Sequence, residues 1–596
     1  MQPTDIANPD YFHKVVDCQW ACPAHTPVPE YIRLIAAGRN ADAYMVNWKS
    51  NVFPGILGRT CDRPCEPACR RGRIEAEPVA ICRLKRVAAD NKGDVSGLMP
   101  EKTTTSNDRR VAFVGAGPAS LSVVRDLVPL GYTCVVYDSD PKAGGMIRSQ
   151  IPRFRLPEQV IDEEVGYILG MGNIELKLGQ RVDSLKALLS EGYDAIFVGS
   201  GAPRGRDLDI PGRKEAAANI HIGIDWLSSV SFGHIEKIGK RVIVLGGGNT
   251  AMDCCRSSKR LGGDEVTVVV RSGFGEMKAS PWEKEDAQHE GIPIKNFLVP
   301  KAFIHEGGKL KAMSFDKVEA KVDAKGRREL VPTGEPEVVI ECDDVLVAIG
   351  QENSFPWIER DIGMEFDRWG MPSVDPKTMQ SSIPNVFFGG DAAFGPKNII
   401  WAVAHGHDAA ISIDKFLNGE DLSVRPPPGV LVSSQKMGIH EWSYDNDISA
   451  ALRNKVPWRD LGTTLKDIKV EVEMGFDLKL AYSETQRCLN CDVQTVFARS
   501  LCIECDACVD ICPVDCISFT ANGEEDDLRS RLTQPARNKT QDLYLSDVLK
   551  TGRIMAKDED VCLHCGLCAE RCPTGAWDMQ KFLIEMTHAG TACRSR

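Results

Sequence analysis

The chain has 596 residues, 43% hydrophobic and 26% charged, enough for several domains with sizeable cores and too apolar for disorder to be the default. Its net charge of −12 argues against nucleic acid as the main partner, and no apolar stretch approaches the length of a membrane span. Cys, Pro, His and Asp interrupt residues 1–30, leaving no signal-peptide core, so a cytoplasmic protein is expected and its 22 cysteines point to metal rather than disulfides.

In chain order, residues 1–100 are expected to form a small helical domain. It carries Cys18-x-x-x-Cys22-Pro23, then Cys61, Cys65 and Cys69 at intervals of four, then Cys82. Residues 91–107 are mostly polar and read as a linker. From there an apolar strand, Val111 to Val114, runs into Gly115-x-Gly117-x-x-Ser120, and a second strand ends on Asp138. This is a dinucleotide fingerprint in its strand–turn–helix setting. Gly115 makes the turn, Gly117 admits the pyrophosphate to the helix N-terminus, Ser120 is small enough for helix–strand packing, and Asp138 accepts ribose hydroxyls. A second fingerprint follows at Gly246-Gly-Gly248-Asn249-Thr250. Its second strand ends on Arg271 with no acid; an Arg there suits the 2′-phosphate of NADP, the plain alternative being a solvated surface residue. A third signal, Gly389-Gly390-Asp391, ends a strand before a helix, where two-dinucleotide flavoproteins contact the ribityl–phosphate region. Blocks 194–202 and 344–351 read as the paired strands where the chain leaves and returns to the first nucleotide domain, so the second is inserted into it.

Residues 421–497 read as a connector that begins with the stiff Arg425-Pro-Pro-Pro-Gly429 and carries Cys488-x-x-Cys491, and 430–497 are expected to run over the flavoprotein surface. Residues 498–580 then repeat one pattern: Cys502, Cys505, Cys508, Cys512-Pro, and Cys562, Cys565, Cys568, Cys572-Pro. Both are the two-cluster ferredoxin run, in which three thiolates hold one [4Fe-4S] cube and the fourth reaches the other. Zinc knuckles use paired cysteines rather than three in tight series. The acidic run Glu524–Asp527 in the long insert between them reads as a solvated loop, with partner docking the lesser alternative.

Residues 15–420 resemble the flavin-bearing small subunit of glutamate synthase and the matching half of dihydropyrimidine dehydrogenase. The resemblance rests on Gly144-Gly145-Met-Ile, Ile151-Pro-Arg-Phe-Arg155-Leu-Pro157, Glu276 to Glu283, Gly-Gly-Asp391 and the N-terminal cysteines. It implies FAD in the first nucleotide domain (108–235 and 346–420, with Gly145, Arg155, Gly390 and Asp391 at the cofactor), NAD(P)H in the second (236–345), and two [4Fe-4S] clusters in the N-terminal domain. The first of those clusters lacks its leading Cys-x-x-Cys, and Arg487-Cys488-x-x-Cys491 looks like the missing half. Cys18, Cys22, Cys488 and Cys491 then form one set, unless the pair is a zinc clip or vestigial. Cys61, Cys65, Cys69 and Cys82 form the other, with Cys82 replacing a family glutamine that aligns near Lys85. Cys134, Cys254, Cys255, Cys342, Cys516 and Cys593 read as structural or incidental, and the absence of a cysteine pair soon after Asp138 argues against disulfide-reductase chemistry.

The expected fold is therefore multidomain α/β: helical iron–sulfur domain, FAD and inserted NAD(P) Rossmann domains, and an α+β bacterial ferredoxin-like domain. The expected activity is an FAD-dependent NAD(P) oxidoreductase with no catalytic side chains of its own, since the cofactors carry the hydride and electron chemistry. It would exchange single electrons, in either direction, with a partner subunit of a 2-oxoacid oxidoreductase-type complex. The alternatives are a stand-alone ferredoxin:NAD(P) oxidoreductase and a glutamate synthase small subunit. Because Arg271 is followed by Ser272 where the family shows a second Arg, weak discrimination between NAD and NADP is expected.

Overall fold

A computed structural model describes the chain except Met1 and residues 9–10, 12–15, 75–76, 323–327, 426, 435–448, 522–527, 531, 534, 537 and 595–596. The chain divides into two compact units: Pro100–Ser423 with Pro457–Met474, and Met1–Met99 with Val424–Val456 and Gly475–Arg596.

The first unit is built on two five-stranded parallel sheets. One has the order Val386–Phe388, Ala195–Val198, Arg110–Val114, Thr133–Asp138, Ile174–Leu178. The other runs Ile220–Ile222, Asp344–Val347, Arg241–Leu245, Glu265–Val270, Ile294–Asn296. Both faces are covered, in the second sheet on one side by antiparallel strands through Leu298, Phe303, Met313 and Phe315, so the central strands are near-continuous apolar runs such as Val111 to Val114, buried throughout. Asp344–Val347 belongs to the second sheet, not to a pair at the crossing as its sequence suggests. The crossing is made instead by short antiparallel strands, Arg204–Gly205 against Gln351–Glu352. A four-residue apolar strand reads alike in either sheet, so sequence alone misplaced it. An antiparallel sheet of Leu298–Glu306, Lys309–Val322, Arg328–Pro332 and Val338–Glu341 completes this unit.

The second unit joins the N-terminal helices to the ferredoxin-like module. Helix Pro54–Thr60 crosses helix Ile81–Asp90 so closely that a Cβ on Gly58 would lie 2.7 Å from the Arg86 backbone. The module holds two three-stranded antiparallel sheets. In one, Ile554–Lys557 lies between Ile517–Thr520 and Tyr544–Leu545; in the other, Trp577–Glu585 lies between Gly429–Ser434 and Val493–Phe497. The connector is therefore not a surface excursion throughout: its two ends are strands of the ferredoxin module, and only 457–474 packs in the other unit, with the Val472 N–H donating to the Phe154 carbonyl (2.9 Å). The insert after Cys512 supplies Leu528, Leu543 and Leu545 to a small core; its acidic run 524–527 lies outside the described residues. Among the described residues no helix is long and apolar enough to cross a membrane.

Candidate functional site

The flavin cradle forms where backbone approaches backbone. Gly115 turns at φ 100°, and a Cβ there would meet the Gly199 carbonyl at 2.7 Å. Gly117 caps helix Pro118–Leu127, and Gly145 (φ 52°) passes it so closely that a Cβ on Gly145 would sit 2.7 Å from the Gly117 Cα. Ser120 is fully buried against Gly199. Asp138 accepts the Ala116 N–H (2.6 Å) and the Asp140 N–H (2.8 Å), which fastens its carboxylate at the turn while burial pushes its pKa up. Gly390 (φ 60°) rests against Ala119, and Asp391 accepts the Lys397 N–H (2.9 Å). A path stripped of side chains beside a helix N-terminus fits a dinucleotide pyrophosphate. Sequence reasoning passed over His405, which is buried beside Gly389 and Trp401 with its pKa held down at about 4 by burial.

The second fingerprint repeats the device. A Cβ on Gly246 (φ 136°) would overlap the Ala348 carbonyl, Gly248 caps helix Asn249–Arg260, and the Asn249 side chain accepts the Ser280 N–H at 2.9 Å. Thr250 is half-buried on the first turn of that helix. Arg271 stands exposed at the strand end with no ion-pair partner among the described residues. The guanidinium of Arg155, expected at the cofactor, grips Asp253 (2.6 and 2.8 Å) and pairs with Glu283. Both carboxylates belong to the nucleotide domain, so Arg155 braces one domain against the other.

The N-terminal thiols group differently from their order in sequence. One cavity, about 360 Å³, is lined by Cys18, Cys69, Cys488 and Cys491. The thiols of Cys61 and Cys65 both hydrogen-bond Cys82, and Cys22 joins these three around the Lys85 ammonium. Cys22 and Cys69 have thus exchanged sets relative to expectation. The cause is local. Helix Asp17–Ala21 ends on Cys22 and helix Cys65–Ala68 ends on Cys69, each with extended backbone (ψ 121° and 127°). Pro23 enforces that conformation at Cys22. A cysteine inside the helix and one just past its end point to different cavities.

In the ferredoxin module Cys562, Cys565, Cys568 and Cys512 line one cavity of about 340 Å³, and Cys502, Cys505, Cys508 and Cys572 another of about 290 Å³. Cys516, read as incidental, lines the first of these with its sulfur 3.5 Å from that of Cys512. Its thiol lowers the pKa of Cys512 to about 6 and of Cys562 to about 5 by hydrogen bonding to the thiolates. Its position four residues after Cys512 was the signal that could have found it.

One backbone feature recurs at all of these sets. The residue two beyond the leading cysteine is left-handed and not glycine: Arg63 (φ 57°), Asn490 (49°), Glu504 (57°) and His564 (54°). Each turns its N–H back to the sulfur, at 3.4 Å for Cys61, 3.4 Å for Cys502 and 3.3 Å for Cys562, and likewise for Cys488. Such a conformation costs roughly 1–3 kcal/mol and persists where surroundings over-determine it. Converging thiols with N–H groups aimed at them fit an anionic iron–sulfur cube.

Residues 109–406 match the pyridine nucleotide-disulphide oxidoreductase family, residues 12–96 the dihydropyrimidine dehydrogenase domain II 4Fe-4S family, and residues 501–576 the 4Fe-4S dicluster domain. The chain is 34% identical over 504 residues to the NADP(+)-dependent formate dehydrogenase subunit beta of Moorella thermoacetica, covering 80% of this chain and 70% of that one. It is 29% identical over 532 residues to the NADPH-Fe(3+) oxidoreductase subunit beta of Geobacter sulfurreducens, covering 82% and 77%. It is 31% identical over 422 residues to the glutamate synthase [NADPH] small chain of Escherichia coli, covering 67% and 88%.

Proposed function

Because this chain belongs to the glutamate synthase small-chain family of FAD-dependent, iron–sulfur NAD(P) oxidoreductases, we propose that it is the electron-transfer subunit of a larger redox complex. FAD, when bound, converts hydride pairs into single electrons, and iron–sulfur cubes pass those electrons on. The chain's residues supply the rest. Gly115, Gly117, Gly145 and Gly390 clear the backbone for FAD, and Gly246, Gly248 and Asn249 do so for the nicotinamide nucleotide. Arg271, unpaired and exposed, binds the 2′-phosphate of NADP(H).

Four thiol sets hold four cubes: Cys18/Cys69/Cys488/Cys491, Cys22/Cys61/Cys65/Cys82, Cys512/Cys562/Cys565/Cys568 and Cys502/Cys505/Cys508/Cys572. The observation that carries this count is the shared left-handed turn at Arg63, Asn490, Glu504 and His564. Arg70, next to Cys69, donates to the carbonyls of Glu559 (2.6 Å) and Cys562 (3.2 Å), a hydrogen-bonded route from the N-terminal sets into the ferredoxin module. Cys505 and Cys565 are exposed, offering the module's sulfurs to a partner. That partner oxidises a small low-potential acid: a 2-oxoacid, or formate as in the name of the Moorella relative.

Anaerobic addition of NADPH tests the reading. Iron–sulfur EPR signals should appear together with flavin bleaching; bleaching with no signal from any cube, including after dithionite, would sink it.

A further inference from the structure

Lys85 lies three residues after Cys82 on helix Ile81–Asp90, so both side chains share one face of that helix. That face packs on helix Pro54–Thr60, whose end is Cys61, with the crossing held close by Gly58. Lys85 is 3% exposed. Among the described residues it has no carboxylate, carbonyl or hydroxyl partner. The charges that act most strongly on its ammonium are the sulfurs of Cys82, Cys61, Cys22 and Cys65.

Three other buried cations near the thiol sets have carboxylate partners. Arg70 pairs with Asp17 (2.8 Å), and Arg33 with Asp492 and Glu30. Lys557 pairs with Glu559 (2.8 Å) and donates to Thr495 (2.6 Å). Glu66, next to Cys65, is occupied by the Cys82 N–H and by Arg453 (2.7 Å). An isolated ammonium is costly to bury, and it is tolerated when its counter-charge is close by. Among the described residues no carboxylate pairs with Lys85, and the counter-charge that acts on it is the thiolate set.

We infer that Lys85 is the fixed counter-ion of the Cys22/Cys61/Cys65/Cys82 site and raises its reduction potential, making it the first of the four sites to take an electron. This rests on the proposal that the site holds a cube. Reduction adds one negative charge and transfers no atom; the electron derives from NAD(P)H by way of the flavin, two per hydride. A buried positive charge favours the more negative state, and the low interior dielectric makes the effect large. Lys85 is thus a tuning residue, not a ligand: its charge, rather than its shape, is what acts.

The test is an EPR-monitored redox titration of the full chain, with iron content measured on every variant. The site's signal is identified as the one that Cys82→Ser removes. In the unmodified chain it should be the first to appear as the potential is lowered. Lys85→Met should lower the reduced-to-oxidised ratio at a fixed potential by at least about tenfold. Lys85→Arg, which keeps the charge, should leave it nearly unchanged. The inference is overturned if Lys85→Met leaves the ratio unaltered, or if Lys85→Arg shifts it as far as Met does. If Lys85→Met loads less iron, the order in the unmodified chain decides: first upholds the inference and later overturns it. Failure of the underlying reading looks different, since Cys82→Ser would then remove neither iron nor a signal.

Discussion

The ferredoxin module and the N-terminal domain hold thiols in the same kind of loop, yet only one of them reveals its pairing in its spacing. In the module, three cysteines of each run fall within seven residues, wound about a left-handed turn, and a proline follows the fourth. The third of each run lies on a short helix, Ala507–Asp510 or Leu567–Arg571, and the left-handed turns before it still bring all three thiols to one cavity. In the N-terminal domain two of the three Cys-x-x-x-Cys pairs, Cys18/Cys22 and Cys65/Cys69, straddle the C-terminal end of a helix, whereas Cys61/Cys65 spans the turn between two helices. The two thiols of each straddling pair serve different sites, while Cys61 and Cys65 share one. Spacing alone misleads where a helix C-terminus lies between two cysteines, as between Cys18 and Cys22 or Cys65 and Cys69.

The largest effects should come from breaking that exchange. Cys69→Ser should remove the same EPR signal as Cys488→Ser, and Cys22→Ser the same signal as Cys82→Ser, each with a loss of about four irons. If Cys22→Ser instead matches Cys488→Ser, the sets follow sequence order after all.

Next in size is the nucleotide side, where the same contrast applies. Glycine fingerprints are local and legible; the choice of nucleotide is not. Arg271→Ala should raise KM for NADPH by about 10–100-fold, the worth of a charge-assisted hydrogen bond, and leave NADH nearly unaffected. Equal changes with both nucleotides would place the 2′-phosphate elsewhere.

Arg70→Met should slow electron transfer from the N-terminal sites to the module several-fold while leaving flavin reduction intact. Pre-steady-state absorbance at flavin and iron–sulfur wavelengths separates the two steps, and equal slowing of both would show a general structural defect. The smallest effect is expected at Cys516. Its thiol hydrogen-bonds the sulfurs of this set without completing it, so Cys516→Ala should keep full iron content and move the potential of the Cys562 site downward by an amount equivalent to about 0.5–1.5 kcal/mol. Loss of iron would make Cys516 a ligand.

These contrasts show what was legible in the sequence. The two nucleotide folds were, because Val111 to Gly117 and Val242 to Gly248 each place strand, turn and helix within a few residues. The link from Cys488 to Cys18 was legible only as a mismatch, a pair missing at one end and spare at the other. Arg155 was not: an arginine in a family motif reads as a cofactor contact, and only the fold reveals Asp253 and Glu283 around it. Nor was Lys85, whose significance lies in the carboxylate that is not beside it. The strand pairing of 429–434 and 493–497 with Trp577–Glu585 escaped for a similar reason, since partners more than eighty residues apart leave no local periodicity to read.

The central claim is that the N-terminal loops at Arg63 and Asn490 are wound for the same group as the ferredoxin loops at Glu504 and His564. Anaerobic iron and acid-labile sulfide analysis of the full chain tests it most directly. The account predicts about sixteen irons and sixteen sulfides per chain, four cubes; about eight of each would confine the clusters to the module and contradict it.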